Sequence, residues 1–185
     1  MLPEPNSYLT LHKYISLLFH AHSQAPFPDN LMRLIHHISN SLINARDGKS
    51  KIDPNTEEGK EIISYEGYTG TRTRHFYNNI CNSDELENIK YLEIGTWNGS
   101  SSMSAVYKNN ITGLFIDNWS QFNGDSNIFR GNMSKFGKDA DVFLLESDCW
   151  EVDLTNLDMG PFNIYLFDGD HAELDHYKAL EYYIP

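Results

Sequence analysis

The spacing of apolar residues divides the chain into two kinds of segment. Over residues 8–22, Leu9, Leu11, Tyr14, Ile15, Leu17, Leu18 and Phe19 recur at helical intervals. After Pro26 and Pro28 the three-and-four spacing returns at Leu31, Leu34, Ile35, Ile38, Leu42 and Ile43, with Asp29 or Asn30 as the cap and Asp47-Gly48 as the stop. The spacing predicts two amphipathic helices, suited to a small cap or a homodimer surface. Residues 49–60 are polar, carry Pro54 and the run Asn55-Thr56-Glu57-Glu58-Gly59, and read as a loop or linker. An N-terminal helical extension with its linker is therefore expected at residues 1–60, and a second domain at residues 61–185.

In that second part a glycine-bearing polar turn, Gly67-Tyr68-Thr69-Gly70-Thr71-Arg72-Thr73-Arg74, leads into a helix through Phe76, Tyr77, Ile80 and Cys81. From residue 89 onward the pattern alternates. Short apolar runs at 90–95, 113–117, 142–146 and 162–168 read as strands. Helices are expected near 101–108, 126–136 and from Glu173 onward, with a short turn or helix near 150–157. Strand and helix alternating over short connections predict an α/β fold, a Rossmann-like three-layer sandwich with a mainly parallel sheet.

Composition narrows the partners. The chain's 185 residues are enough for one sizeable core plus an appendage. No apolar run approaches a membrane-spanning length, and Met1-Leu2-Pro3-Glu4-Pro5 opens no secretory signal. A formal net charge of -12 argues against a nucleic-acid backbone or an anionic membrane as partner and leaves a small-molecule substrate. Cys81 and Cys149 lie far apart and read as free thiols of a reducing compartment. Glycosylation sequons fall at Asn98, Asn110, Asn118 and Asn132, but a glycan on Asn98 would block the glycine turn described next, so a cytoplasmic protein is expected. His12, His20, His22, His36 and His37 have no accompanying carboxylate cluster and read as surface or packing residues.

Chemistry concentrates at the strand ends. The first strand runs into Glu93-Ile94-Gly95-Thr96-Trp97-Asn98-Gly99, followed by a serine cluster offering N-cap hydroxyls. A strand, a glycine turn and a helix start expose backbone N–H groups toward a polar or anionic ligand. Strand two ends in Asp117-Asn118-Trp119, where an acid can accept both hydroxyls of a ribose or cap the following helix. Strand three ends in Glu146-Ser147-Asp148, and Asp148 can equally be a structural loop acid. Strand four ends in Asp168-Gly169-Asp170-His171, two carboxylates and an imidazole where a buried strand emerges. Such groups are costly there unless they bind something, although Asp170 capping a helix and Asp168 holding the turn is the structural alternative.

An acid in the strand end with glycines two and six positions later resembles motif I of class I S-adenosylmethionine-dependent methyltransferases, and Asp-Gly-Asp-His resembles the members that O-methylate sugars and small hydroxylated molecules. The resemblance runs from Gly67 to Pro185. It implies cofactor contacts from Glu93, Gly95, Thr96, Trp97 and Gly99, with Asp117 on the ribose, Asn118 or Trp119 on the adenine, and Asp148 on the adenine amino group. Thr71 and Arg72 become candidates for the methionine carboxylate, against the alternative that Arg72 and Arg74 decorate a solvated helix start. Asp168, also counted among the cofactor contacts, becomes a candidate Mg²⁺ ligand, Asp170 the general base, and His171 an alternative base or substrate contact. An alcohol needs such help, because a metal ion or a carboxylate must take up its proton before the oxygen attacks. In the family a fifth strand follows, whereas this sequence ends at Tyr182-Tyr183-Ile184-Pro185; either the last strands lie outside it, the favoured expectation, or the natural chain lacks the second half of the sheet. A nucleoside-binding module without catalysis fits the same residues. So does an NAD-type oxidoreductase, although the middle glycine of Gly-x-Gly-x-x-Gly is missing.

Overall fold

A computed structural model describes residues 28–83 and 86–184; the expected helix at residues 8–22, with His12, His20 and His22, lies outside the described residues. The elements are α1 (Asp29–Arg46), α2 (Glu57–Ser64), α3 (Thr71–Ile80), β1 (Lys90–Ile94), α4 (Ser100–Val106), β2 (Thr112–Asp117), α5 (Ser126–Phe136), β3 (Asp141–Glu146), β4 (Ile164–Phe167) and α6 (Glu173–Tyr183). Two short 3-10 turns, Cys149–Glu151 and Leu154–Asn156, join β3 to β4. The four strands form one all-parallel sheet in the order β3-β2-β1-β4, with Leu92 opposite Leu114 on one side and Tyr165 on the other. The fold is a Rossmann-like α/β sandwich.

Period-two alternation along the strands builds two cores. Tyr91 and Phe115 face the helices, packing with Met103, Val106 and Phe129, and the Phe115 and Phe129 rings lie 5.5 Å apart. Leu92, Ile94, Leu114 and Ile116 face the other way, against Val152 and Tyr183. The chain steps from β1 to β2 to β3 in one direction, so right-handed crossovers place α4 and α5 on one face. It then returns past β1 to β4, and that connection covers the opposite face. A topological switch point therefore lies between β1 and β4.

Several local expectations are corrected. Pro28, not Asp29 or Asn30, is the N-cap of α1, because its carbonyl takes the Leu31 and Met32 amides at 3.0 and 3.2 Å. The expected stop is in place: Gly48 is left-handed at φ +68, and the Lys49 amide closes on Asn44 O at 2.8 Å. The stretch 49–60 is not loop throughout. Thr56 Oγ1 accepts the Gly59 amide at 3.1 Å and starts α2, while Lys51 N donates to Asn78 Oδ1 at 2.9 Å and Ile52 is buried. Helix α1 packs along α3, where His37 Nε2 meets Ile80 O at 2.9 Å. Nor do the serines cap α4. Gly99, left-handed at φ +89, is the N-cap, and Ser100, Ser101, Ser102 and Ser104 lie buried inside the helix, small enough to let it pack against α3 and α5.

Arg74 is the largest surprise. Rather than lying on a solvated helix start it is 2% exposed, while Arg72 is exposed. Its guanidinium donates from Nε to Thr69 O (2.9 Å), from Nη2 to Tyr65 O (2.7 Å), and from Nη1 to Ile63 O (2.9 Å) and Ile62 O. Burial lowers the Arg74 pKa, and four carbonyl dipoles stand in for the lost water. One side chain thus fixes the loop between α2 and α3. Among the described residues no helix is long and apolar enough to cross a membrane.

A candidate cleft at the carboxyl ends of the strands

The strands emerge together into a cleft of about 260 Å³, lined by Gly95, Trp97, Asp117, Asn118, Asp148, Asp168 and Asp170 among the expected residues. That volume lies just under the range of small-molecule pockets. Ile94 and Ile116 also line it, and Ser120, Gln121, Phe122, Ser147, Cys149, Trp150, Gly169 and Asp175 complete the lining. The loops after all four strands contribute, as expected at a switch point of a parallel sheet.

Gly95 is required by the chain itself. Its φ is +83, and a Cβ would stand 2.2 Å from the carbonyl oxygen of Asp168. The loop after β1 and the end of β4 therefore touch backbone to backbone. Asp117 ties the next pair of loops: Oδ2 accepts the Trp97 amide and Oδ1 the Trp119 amide, both at 2.7 Å. It caps no helix, since Asp125 caps α5 through the Asn127 amide at 2.8 Å. Each Asp117 oxygen keeps a second acceptor position. Asn118 Oδ1 takes the Ser120 amide at 3.0 Å, and Asp148 Oδ1 takes that of Trp150 at 3.0 Å. Asp170 Oδ1 accepts the Ala172 amide at 3.1 Å, holding the turn before α6 without capping it.

The other expected residues do not line the cleft. Glu93 lies one residue too early in the alternation and points with Tyr91 into the helix-side core, where it is 0% exposed. Tyr91 Oη donates to its Oε2 at 2.9 Å and Ser101 Oγ to its Oε1 at 2.5 Å. Thr96 is buried beneath the turn, and Gly99 is held against the Phe129 ring. Trp119 turns inward: its ring packs 6.0 Å from that of Phe129, and its indole N–H donates to Trp97 O at 2.8 Å. Thr71 is exposed at the first turn of α3. His171 is exposed with Nε2 3.7 Å from Asp168 Oδ1.

Burial pushes the Asp168 carboxyl above the ordinary aspartate range, while His171 and His176 pull it back. Among the described residues no group of three His, Cys, Asp or Glu side chains is placed to hold a metal ion. Both cysteines are free, with Cys81 raised by complete burial and Cys149 pushed up to about 11, chiefly by desolvation. Neither has thiolate character at neutral pH.

Burial also pushes Glu93 up to about 7, against the hydrogen bonds from Ser101 and Tyr91 that favour its charged form. The unfolded chain releases this proton near pH 4.5 and the folded chain near 7. The folded state thus binds more protons between those values, and stability falls as pH rises through that window, by at most about 3 kcal/mol. Glu93→Gln is expected to flatten that dependence in urea titrations at pH 5, 6, 7 and 8; an unchanged slope would refute the assignment.

Sequence reasoning missed Phe122 and Trp150, and with them Tyr68, whose ring stands 6.5 Å from those of both Trp97 and Phe122. For Phe122 and Trp150 the available signal was an aromatic residue set in a polar, turn-rich loop directly after a strand; Tyr68 lies in the loop between α2 and α3. Fold and cleft together define a Rossmann-like α/β chain with a small cleft at its switch point. Comparison with protein-family models, with curated proteins and with solved structures finds no match to any of them.

Proposed function

We propose that the chain binds S-adenosylmethionine in this cleft and transfers its methyl group to a hydroxyl of a small molecule or sugar. The observation that supports this reading is the gathering of Gly95, Asp117, Asp148, Asp168 and Asp170, from four separate strand ends, around one cleft. S-adenosylmethionine supplies a methyl group on a sulfonium leaving group. Two of the acids suit its nucleoside part. Asp117, already oriented by two amides, offers its remaining acceptor positions to the ribose hydroxyls, and Asp148 offers Oδ2 to the adenine amino group. The carboxylates of the cleft favour a cationic sulfonium.

Asp170 is the general base. Its Oδ1 is held by the Ala172 amide, which fixes the carboxylate and leaves Oδ2 for the acceptor's hydroxyl proton. As that proton moves to Asp170, the hydroxyl oxygen bonds to the methyl carbon and the carbon–sulfur pair stays on sulfur, giving the ether and the neutral thioether. Most of the remaining work is alignment of oxygen, carbon and sulfur. His171, 3.7 Å from Asp168 Oδ1 but outside the cleft lining, is the alternative contact for the acceptor. No step is routed through a metal.

S-adenosylhomocysteine release over a panel of hydroxylated acceptors tests the assignment. Asp170→Asn is expected to lower turnover by about 10²-fold or more while S-adenosylmethionine affinity stays within about twofold. Retained turnover would remove Asp170 from the mechanism.

A further inference from the structure

The outer wall of the cleft carries exposed aromatic surface. Tyr68 is 93% exposed and Phe122 70%, and the Tyr68 ring centroid stands 6.5 Å from those of both Trp97 and Phe122. Trp97 and Phe122 line the cleft. Aromatic side chains left in water at a cleft's edge, while others fill two cores nearby, call for an occupant.

The backbone that carries Trp97 and Phe122 is held in place. Trp97 and Phe122 have left-handed backbones, at φ +46 and +55, a conformation that costs energy for bulky residues. Hydrogen bonds hold them there. Trp97 N reaches Asp117 Oδ2 at 2.7 Å, its indole N–H reaches Phe122 O at 3.2 Å, and Trp119 Nε1 reaches Trp97 O at 2.8 Å. Gly124 lets both indoles close in, since a Cβ there would stand 2.6 Å from Trp97 Cδ1 and 2.8 Å from Trp119 Cδ1. Tyr68 rides on the loop that Arg74 pins through four carbonyls.

The charged residues of the lining are all acidic. They are Asp117, Asp148, Asp168, Asp170 and Asp175, and among the described lining residues there is no lysine, arginine or histidine. Aromatic faces and carboxylates attract the same kind of ligand, a positively charged organic group, and the carboxylates repel phosphate and carboxylate substrates. A neutral polyol would gain charge-assisted hydrogen bonds from the carboxylates, but neither ion pairing with them nor cation–π attraction to the rings.

We propose that the acceptor is an organic cation, a hydroxylated molecule that carries a protonated or quaternary amine, which seats its cationic group against Tyr68, Trp97 and Phe122. This rests on the methyltransferase reading for the word acceptor; cation binding at the aromatic wall stands apart from it. The charged group would orient the molecule so that its hydroxyl meets Asp170.

Ligand-observed NMR titrations of benzyltrimethylammonium, benzyl alcohol and benzoate into the full chain test it, with and without S-adenosylhomocysteine. The three probes share a ring and differ in charge. The cation is expected to bind at least about tenfold tighter than benzyl alcohol and benzoate weakest, with the preference shrinking as salt rises. Tyr68→Ala and Phe122→Ala should each weaken the cation by about threefold to thirtyfold, and Tyr68→Ala should leave S-adenosylhomocysteine affinity unchanged. Equal affinities for the three probes, or cation binding indifferent to both substitutions, would overturn the proposal. Failure of the methyltransferase reading shows separately, as absence of S-adenosylhomocysteine binding, and the cation measurements on the free chain still decide this point.

Discussion

Arg74→Met is expected to destabilise the chain by about 3–5 kcal/mol, because methionine fills much of the volume but satisfies none of the four carbonyls that the guanidinium serves. Each buried acceptor left alone costs about 1–3 kcal/mol, and the partly exposed Tyr65 and Thr69 carbonyls recover some of that from water. For a chain of this size the melting temperature should fall by roughly 10 °C or more. Arg74→Lys should fall between, since one compact ammonium cannot reach all of the carbonyls in the fork geometry. Urea unfolding measures the loss directly. A change within about 1 kcal/mol would show that the loop between α2 and α3 holds its shape without this side chain.

Gly95→Ala is expected to abolish the proposed S-adenosylmethionine binding and to cost stability as well. Alanine pays about 1–2 kcal/mol for the left-handed backbone. Its Cβ must also displace the Asp168 carbonyl, which would stand at 2.2 Å, and the Gly169 amide at 2.8 Å. No flexible side chain can give way there; two strand ends have to part. That movement separates Asp168 and Asp170 from the loop after β1, so the cleft opens at its switch point. Gly131→Ala is the matched control. Gly131 lies inside α5 with nothing within 4 Å of its Cβ position, so that substitution should stabilise by about 0.5–1 kcal/mol. If Gly95→Ala bound S-adenosylhomocysteine like the unaltered chain, the backbone contact would have no part in shaping the cleft.

The sheet was legible because its signals are local. Apolar runs of four to six residues, broken by glycine and aspartate, mark all four strands, and α5 spans Ser126–Phe136 as its spacing predicts. The carboxyl ends of parallel strands must converge, so acids placed there by sequence, Asp117, Asp148, Asp168 and Asp170, meet in one cleft. What sequence could not show is direction. Glu93 and Gly95 are two residues apart, yet the pleat sends Glu93 into the core while the turn at Gly95 opens to the cleft. Trp119 and Trp97 look alike as loop tryptophans, and only packing against Phe129 decides that Trp119 turns inward. Arg74 reads as a surface charge at a helix start because its partners are backbone carbonyls, which leave no trace in side-chain chemistry. The serines after Gly99 have the composition of a cap, but the left-handed glycine before them already turns the chain, and tertiary packing buries the hydroxyls.

The exposed aromatic wall was hidden for the opposite reason. Tyr68 and Phe122 lie 54 residues apart in sequence, in loops before α3 and α5, and the fold alone brings their rings together. Asp117 acts through backbone amides 2 and 20 residues away: the first is a local Asx turn, the second a tertiary contact that no spacing rule describes.

Calorimetric titration of S-adenosylmethionine into the purified chain, with NAD as the control, tests the central claim most directly. The cleft's acids and glycine turn predict micromolar one-to-one binding of S-adenosylmethionine and none of NAD. Binding of NAD instead, or of neither ligand, would contradict it.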